Sequence, residues 1–571
     1  MKPAFYLNGL ALGVVTLAGL LCLPMPFWGD QALFTAYARQ LTEGAVLYRD
    51  VFDVKQPGIF LFYAAGGLLF GFTEVGIHLF ELAWWLAFSV FSLVALRPYF
   101  TTRWAPPLVP VFTVVTYYFG AGLLDQAQIE ILVAFPLLLA WWLIDQAAPG
   151  TRAGVRRYAA AGLVAATVVL LKHLYLLIVV AFLGYAAVRS ARRGIDLKAI
   201  SRSLVAFTVA LALPLILTGA YFAAYGQLGR IWWAYFEMAP AAQLLTPRPL
   251  GYLITGVRKF MIGHAPLLIL AVLGCVAVRR DRDAPRLKLV HGMLLWAAAG
   301  VIAFPVLQGW PEYKWPLFTV PVGILAVVGA ETLAALARTV GWRPGAASIG
   351  AGVAVAIMVL VLGAREPQLQ TRLLLAVVTG GAAGAVAGVL TWHARTRQRL
   401  LQTCSMAIAV ALGLTAIVPV NKVRTLMAHG FALTSGARED FQRAWNHTYR
   451  AADEDLAILE QTEPLPGAIF VFGDPIVLLR SARPQAVPIL GWGPEFLDRK
   501  AWQQLHADLA ATLPPYIVVN PRIERMIRDD YPPMMELIES RYDVAFVGAT
   551  GTWYVVREPQ TSQAAAARRI P

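Results

Sequence analysis

The sequence predicts an α-helical polytopic membrane protein of about thirteen transmembrane helices, followed by a small C-terminal α/β domain. Three observations predict it. Apolar residues make up 58% of the 571 residues and charged residues 14%, and the mean hydropathy of +0.60 is too high for a soluble globule. The apolar residues gather into runs long enough to cross a bilayer, about 20 residues each. From Asn421 onward the composition changes to that of a soluble domain.

Taken in order, spans are expected at 5–27, 75–96, 105–121, 128–145, 158–172, 173–188, 204–225, 262–278, 289–307, 316–335, 346–363, 373–391 and 402–420, short and tilted ones included. The first run is long and lacks a small-x-small cleavage site, so it reads as a retained span rather than a signal peptide. Residues 59–72 are apolar, short and glycine-rich, which suits a re-entrant or interfacial helix. An odd number of spans puts the two ends of the chain on opposite faces. Loops expected inside carry Lys2, Arg97, Arg103, Arg152, Arg156, Arg157, Arg189, Arg192, Arg193 and further basic residues, about twice the number in the short outer loops. The N-terminus is therefore expected in the cytoplasm and the C-terminal domain outside it. The formal charge of +14 is by the same argument a topology signal, and nucleic acid is not expected as a partner. Cys22, Cys275 and Cys404 stand inside or at the ends of apolar segments and make no disulfide framework or metal-thiolate spacing.

After the spans, a helical pattern over 437–460, a strand in AIFVFGDP, helix near 494–513, the strand PYIVVN, helix near 522–540 and strands at VAFVG and TWYVVR suggest the α/β domain. The expected organisation is a membrane domain over 1–420 with its first outer loop at 28–58, an extracytoplasmic domain over 421–557, and a disordered tail over 558–571.

The first outer loop, WGDQALFTAYARQLTEGAVLYRDVFDVKQPG, is the longest polar interruption in the apolar half, and ionisable groups beside a bilayer are costly unless paired, hydrated or functional. Asp30 stands where a helix N-cap would. Leu33, Phe34, Tyr37 and Leu41 then recur at helical spacing, and Gly44 supplies a stop. The remainder, AVLYRDVFDVKQPG, reads as extended chain.

The order of an aspartate just outside a first span, an amphipathic helix, then G-x-x-L-Y-R-D-x-F-D-x-K-x-P-G resembles the first extracytoplasmic loop of GT-C glycosyltransferases, in particular the bacterial protein mannosyltransferase and lipid A aminoarabinose transferase group. AGLVAATVVLLKHLYLL, QGWPEYKWPLFTVP and the tail motifs VFGDP and PPYIVVN extend the resemblance over most of the chain. It implies a GT-C-like membrane domain in a bacterial inner membrane. It also implies a polyprenyl-phosphate-sugar donor, an acidic loop residue as catalytic base, and inversion at the sugar carbon. Such a transfer needs a carboxylate to take the proton of an acceptor hydroxyl and fixed cations to stabilise the departing phosphate.

Asp30 is the expected base, with an N-cap as its purely structural alternative. Asp53 is the expected partner that positions the acceptor or Lys55; the resembled family often places its second acid immediately before the lysine, where this chain has Val54. Lys55 matches the family's donor-phosphate lysine. Lys172, expected at the outer face beside His173 between two spans, needs an anion that a phosphate or a lipid headgroup would supply. Arg258 and Lys259 ahead of a span, and Lys314 in PEYKWP, are further phosphate candidates. Tyr48, Asp125, Glu130, His173 and Tyr313 are candidates for the acceptor or the cavity; Glu130, one turn inside a span, faces a wet cavity or pairs with a cation such as Lys172. The aromatic loop 225–260 reads first as an interfacial belt. His78, His173 and His264 show no metal-ligand spacing, so no metal site is expected, although an assisting divalent cation is left open. Sugar and acceptor, whether lipid, glycan or protein, stay open. So do three other readings: an O-antigen polymerase or ligase, a lipid-linked-sugar transporter or flippase with Glu81 and Glu130 as ion sites, and a scaffold that binds through its tail.

Overall fold

A computed structural model gives the fold and describes residues 2–120, 125–241, 250–281, 284–307, 312–339, 408, 411, 417–462 and 464–557. The spans expected at 346–363 and 373–391, most of that at 402–420, and the tail 558–571 lie outside the described residues. The chain divides into two compact units. One gathers Met1–Met25, Gln56–Ala220 and Arg248–Phe441, the other Pro26–Lys55, Tyr221–Pro247 and Gln442–Pro571. The first outer loop thus groups with the tail residues, as does the aromatic loop after Tyr221.

The first unit is helical. Among the described residues six helices are long and apolar enough to cross a membrane: Glu74–Ala95, Arg152–Leu171, His173–Arg192, Leu197–Ala224, Pro285–Ala303 and Lys314–Thr339. Leu253–Met261 and Ala265–Val278 form a pair bent by 83°, and Phe5–Leu20 and Pro57–Phe70 are shorter apolar helices. Two expected spans are broken by proline. Over 105–121, a short α-helix Ala105–Pro110 passes into a π-helical turn Val111–Val115 and then Thr116–Gly120, and Pro110 at the junction has no N–H to return to the carbonyl of Pro106. Over 128–145, Ile129–Leu132 and Ala134–Asp145 are separate helices. Pro136 has no N–H to offer the carbonyl of Leu132, and the indole of Trp84 donates to that oxygen instead at 3.2 Å.

The helices Ala265–Asp281 and Thr319–Thr339 cross closely. A Cβ at Gly274 would stand 2.8 Å from the backbone nitrogen of Gly329, so the two backbones touch where both side chains are missing. Leu267, Leu270, Val322 and Ala326 fill the space around this contact.

The second unit holds a four-stranded mixed sheet of β1 (Ile469–Phe472), β2 (Tyr516–Val519), β3 (Tyr542–Val547) and β4 (Thr552–Val556), in the order β1-β2-β4-β3. β1 and β2 are parallel and are joined through the helix Arg499–Thr512, as a parallel pair requires a crossover; β4 runs antiparallel to both its neighbours. The helical pattern of 437–460 is interrupted at Asn446, whose side chain caps His447–Gln461 by accepting from Thr448 at 3.0 Å. That of 522–540 splits into Pro521–Asp530 and Pro532–Arg541 at the prolines following Tyr531. Buried Asp455 ties helix to sheet, accepting from the backbone of Ala549 (2.6 Å) and Thr550 (2.9 Å), the Thr550 hydroxyl and the Trp553 indole (3.0 Å).

Candidate functional site

In the second unit, the first outer loop opens with the helix Gly29–Thr42. Asp30 is not its N-cap. Trp28 takes that position in extended conformation, and its N–H is satisfied by the side-chain oxygen of Gln31 at 2.6 Å. The carboxylate of Asp30, in the first helical turn, is thereby left out of the capping and stays favoured by the helix dipole. Gly29 beside it has no room for a side chain, since a Cβ there would enter the ring of Trp492.

After the stop at Gly44 (φ +105°), the chain is folded by local bonds rather than simply extended. Asp50 accepts from the N–H of Val46 at 2.7 Å and pairs with Arg49 at 2.8 Å; the Arg49 hydrogen bond holds its carboxyl below the usual carboxylate range. Phe52 then hydrogen-bonds to Pro488 at 2.9 Å and brings Asp53 and Lys55 into the unit. Asp53 accepts the N–H of Lys55 at 2.9 Å, and the Lys55 ammonium lies 3.4 Å from Asp30, 3.9 Å from Asp53 and 5.0 Å above the Phe34 ring. Burial pushes the Asp53 carboxyl up although Lys55 opposes it, and Asp30 adds to the rise. One lysine is therefore shared by two carboxylates of different exposure: Asp53 is nearly enclosed, and Asp30 is 20% exposed.

Tyr48 is fully buried, and its hydroxyl donates to the Lys55 carbonyl at 2.9 Å. Asp474, in the turn after β1, accepts from Ile476 at 3.0 Å, and its carboxyl is pushed up to about 6 by burial, with the charge of Asp30 adding to the rise.

In the first unit, Lys172 ends the helix Arg152–Leu171 in an extended conformation, and its ammonium reaches Glu130 at 2.8 Å. Tyr175 donates to the same carboxylate oxygen at 3.2 Å. The buried Lys314 lies in the 3₁₀ helix Glu312–Phe318, which packs on Ile129–Leu132, and its charge also acts on Glu130. The Gln56 amide donates to Nδ1 of His173 at 2.8 Å. Gly58 lets the helix Pro57–Phe70 approach this corner, because a Cβ there would lie 2.5 Å from the carbonyl oxygen of Leu170. Lysine, histidine and glycine of the K-x-x-G and L-K-H segments thus have local reasons for their spacing.

Arg258 and Lys259 are exposed on the helix Leu250–Gly263. Asp125 accepts from the Tyr117 hydroxyl through its backbone carbonyl at 3.3 Å. The side chain of Tyr313 lies outside the described residues. Among the described residues, no three His, Cys, Asp or Glu side chains are grouped to hold a metal ion.

Over nearly all of its length, the chain is similar to ArnT. The structure of ArnT from Cupriavidus metallidurans bound to undecaprenyl phosphate shares 15% identity over 96% of this chain and 97% of that one, with a TM-score of 0.49. The apo structure of the same protein gives 15%, 95% and 97%, with a TM-score of 0.48. No family model and no curated protein sequence matches.

Sequence reasoning passed over Asp474, although VFGDP was a marked motif: an acid following an apolar strand is the available signal. It reads the aromatics of 225–260, Trp233 and Tyr235 among them, first as an interfacial belt, whereas Trp233 is buried and stacked on Phe52 at 5.0 Å, and nearby Arg230 donates to the carbonyl of Tyr48 at 2.9 Å. No pattern within the aromatic loop names those partners.

Proposed function

We propose that the protein is an inverting membrane glycosyltransferase that moves a sugar from a polyprenyl phosphate to an acceptor hydroxyl on the extracytoplasmic side of a bacterial inner membrane. The observation that carries this reading is the Lys55 ammonium held between Asp30 and Asp53. Asp30, the more accessible carboxylate and the one free of capping duty, takes the acceptor proton. The acceptor oxygen bonds to the anomeric carbon as the bond from that carbon to the phosphate oxygen breaks, and the electron pair leaves with the polyprenyl phosphate. Lys55 meets the phosphate charge as it develops, and Asp53 fixes the backbone and ammonium of Lys55. Within the helical unit, Lys172 and Lys314 both act on Glu130, and two cations gathered at one corner suit an anionic headgroup.

Asp30→Asn is expected to cut transfer from an undecaprenyl-phosphate-linked sugar by on the order of a hundredfold to ten-thousandfold. Its thermal unfolding in detergent should match that of the parent. A variant that is folded and fully active sinks the assignment.

A further inference from the structure

The segment Leu228–Met238 grips the first outer loop at one residue from two sides. It starts as an α-helix over Leu228–Trp232 and widens into a π-helical turn over Trp233–Met238, a rare geometry that re-aims side chains. Arg230 donates to the Tyr48 carbonyl at 2.9 Å, and the Tyr235 hydroxyl meets the Tyr48 hydroxyl at 2.5 Å. Between them Trp233 stacks on Phe52, and Lys500 sits 5.2 Å over the other part of the Trp233 environment while pairing with Glu237 at 3.6 Å. Tyr48 needs such support, because it holds a left-handed backbone (φ +69°) that a tyrosine rarely adopts.

Counting protons fixes the direction of the chain of bonds. Tyr48 has one hydroxyl proton, and the Lys55 carbonyl can only accept, so that proton goes to Lys55. In the bond between the two tyrosines Tyr235 is then the donor. The series runs from Tyr235 to Tyr48 to the backbone of Lys55, each donor polarising the next.

We propose that Tyr235 is a positioning residue for Lys55, acting through the Tyr48 hydroxyl to fix the backbone from which the lysine ammonium reaches the donor phosphate. This rests on the proposed function, in which Lys55 meets that phosphate. Removing the Tyr235 hydroxyl leaves Tyr48 with an unfilled acceptor and lets the Lys55 carbonyl shift, although no group that touches substrate is altered.

The test is binding of undecaprenyl phosphate to the full-length protein in detergent, read for Tyr235→Phe, Lys55→Ala and the double variant, with thermal unfolding alongside. Tyr221→Phe, an exposed tyrosine of the preceding helix Leu197–Ala224, is the control. Tyr235→Phe is expected to weaken binding about fivefold at unchanged melting temperature, and to add nothing once Lys55 is alanine. Tyr221→Phe should bind as the parent does. Full binding by Tyr235→Phe, or losses that multiply in the double variant, overturns the inference while the functional reading stands. Full binding by Lys55→Ala overturns the phosphate role of Lys55 and this inference with it.

Discussion

Asp474 shows how a single side chain can carry a measurable pH signature. Its carboxyl is raised from 3.8 to about 6, so the folded protein holds a proton there that the unfolded chain has released. The fold benefits fully below about pH 4 and loses that benefit as pH rises through about 6, by up to about 3 kcal/mol. Asp474→Asn keeps the oxygen that accepts from Ile476 and removes the ionisation. Relative to the parent, its melting temperature should climb between pH 4 and pH 7. A constant difference across that range contradicts the burial argument. At this scale the sequence was partly readable: Asp30, Asp53 and Lys55 were named from one loop because they lie within it. Tyr48 was named with them as an acceptor or cavity candidate, but its pairing with Tyr235 was not readable, since that partner lies 187 residues away and periodicity reports the face of a helix without saying what it meets.

Among the elements, hydropathy located the six described helices long and apolar enough to span, but it averaged over the interruptions in 105–121 and 128–145. Pro110 and Pro136 were visible as letters, yet a window of apolar residues weighs a proline beside a helix break no differently from any other residue. The crossing at Gly274 and Gly329 is a similar case. A glycine in an apolar helix costs stability relative to alanine unless a second backbone occupies the vacated space, and here one does. Gly329→Val would drive a branched side chain into the backbone of Leu270. It should lower the melting temperature by several degrees and reduce the yield of folded protein, whereas Gly9→Val, at a position with open space, should change little. Equal behaviour of the two variants refutes the close crossing. The tail elements were legible in type and order because their strands are short apolar runs bounded by turn residues. The helix breaks at Asn446 and Tyr531 were missed because capping depends on local hydrogen bonds that a face-counting argument ignores.

For the molecule as a whole, the tail is expected outside the cytoplasm from the charge asymmetry across the loops, and labelling decides this. The three cysteines stand at 22, 275 and 404, so the tail offers a clean background. Ser540→Cys, on an exposed stretch of the tail, should react with a membrane-impermeant maleimide in intact cells, and Thr151→Cys should react only after permeabilisation. The reverse pattern inverts the topology.

The doubly held ammonium of Lys55 also bears on the order in which reactants arrive. A phosphate entering there competes with Asp30 for the same three N–H donors and releases its carboxylate to accept from another group. On the proposed function, the carrier lipid then frees the carboxylate that takes the proton of the second reactant, and the lipid-linked sugar is expected to bind before the acceptor hydroxyl. An unreactive acceptor analogue should accordingly inhibit uncompetitively against the lipid-linked sugar; a noncompetitive pattern would mean random entry, with water as readily activated as the intended alcohol.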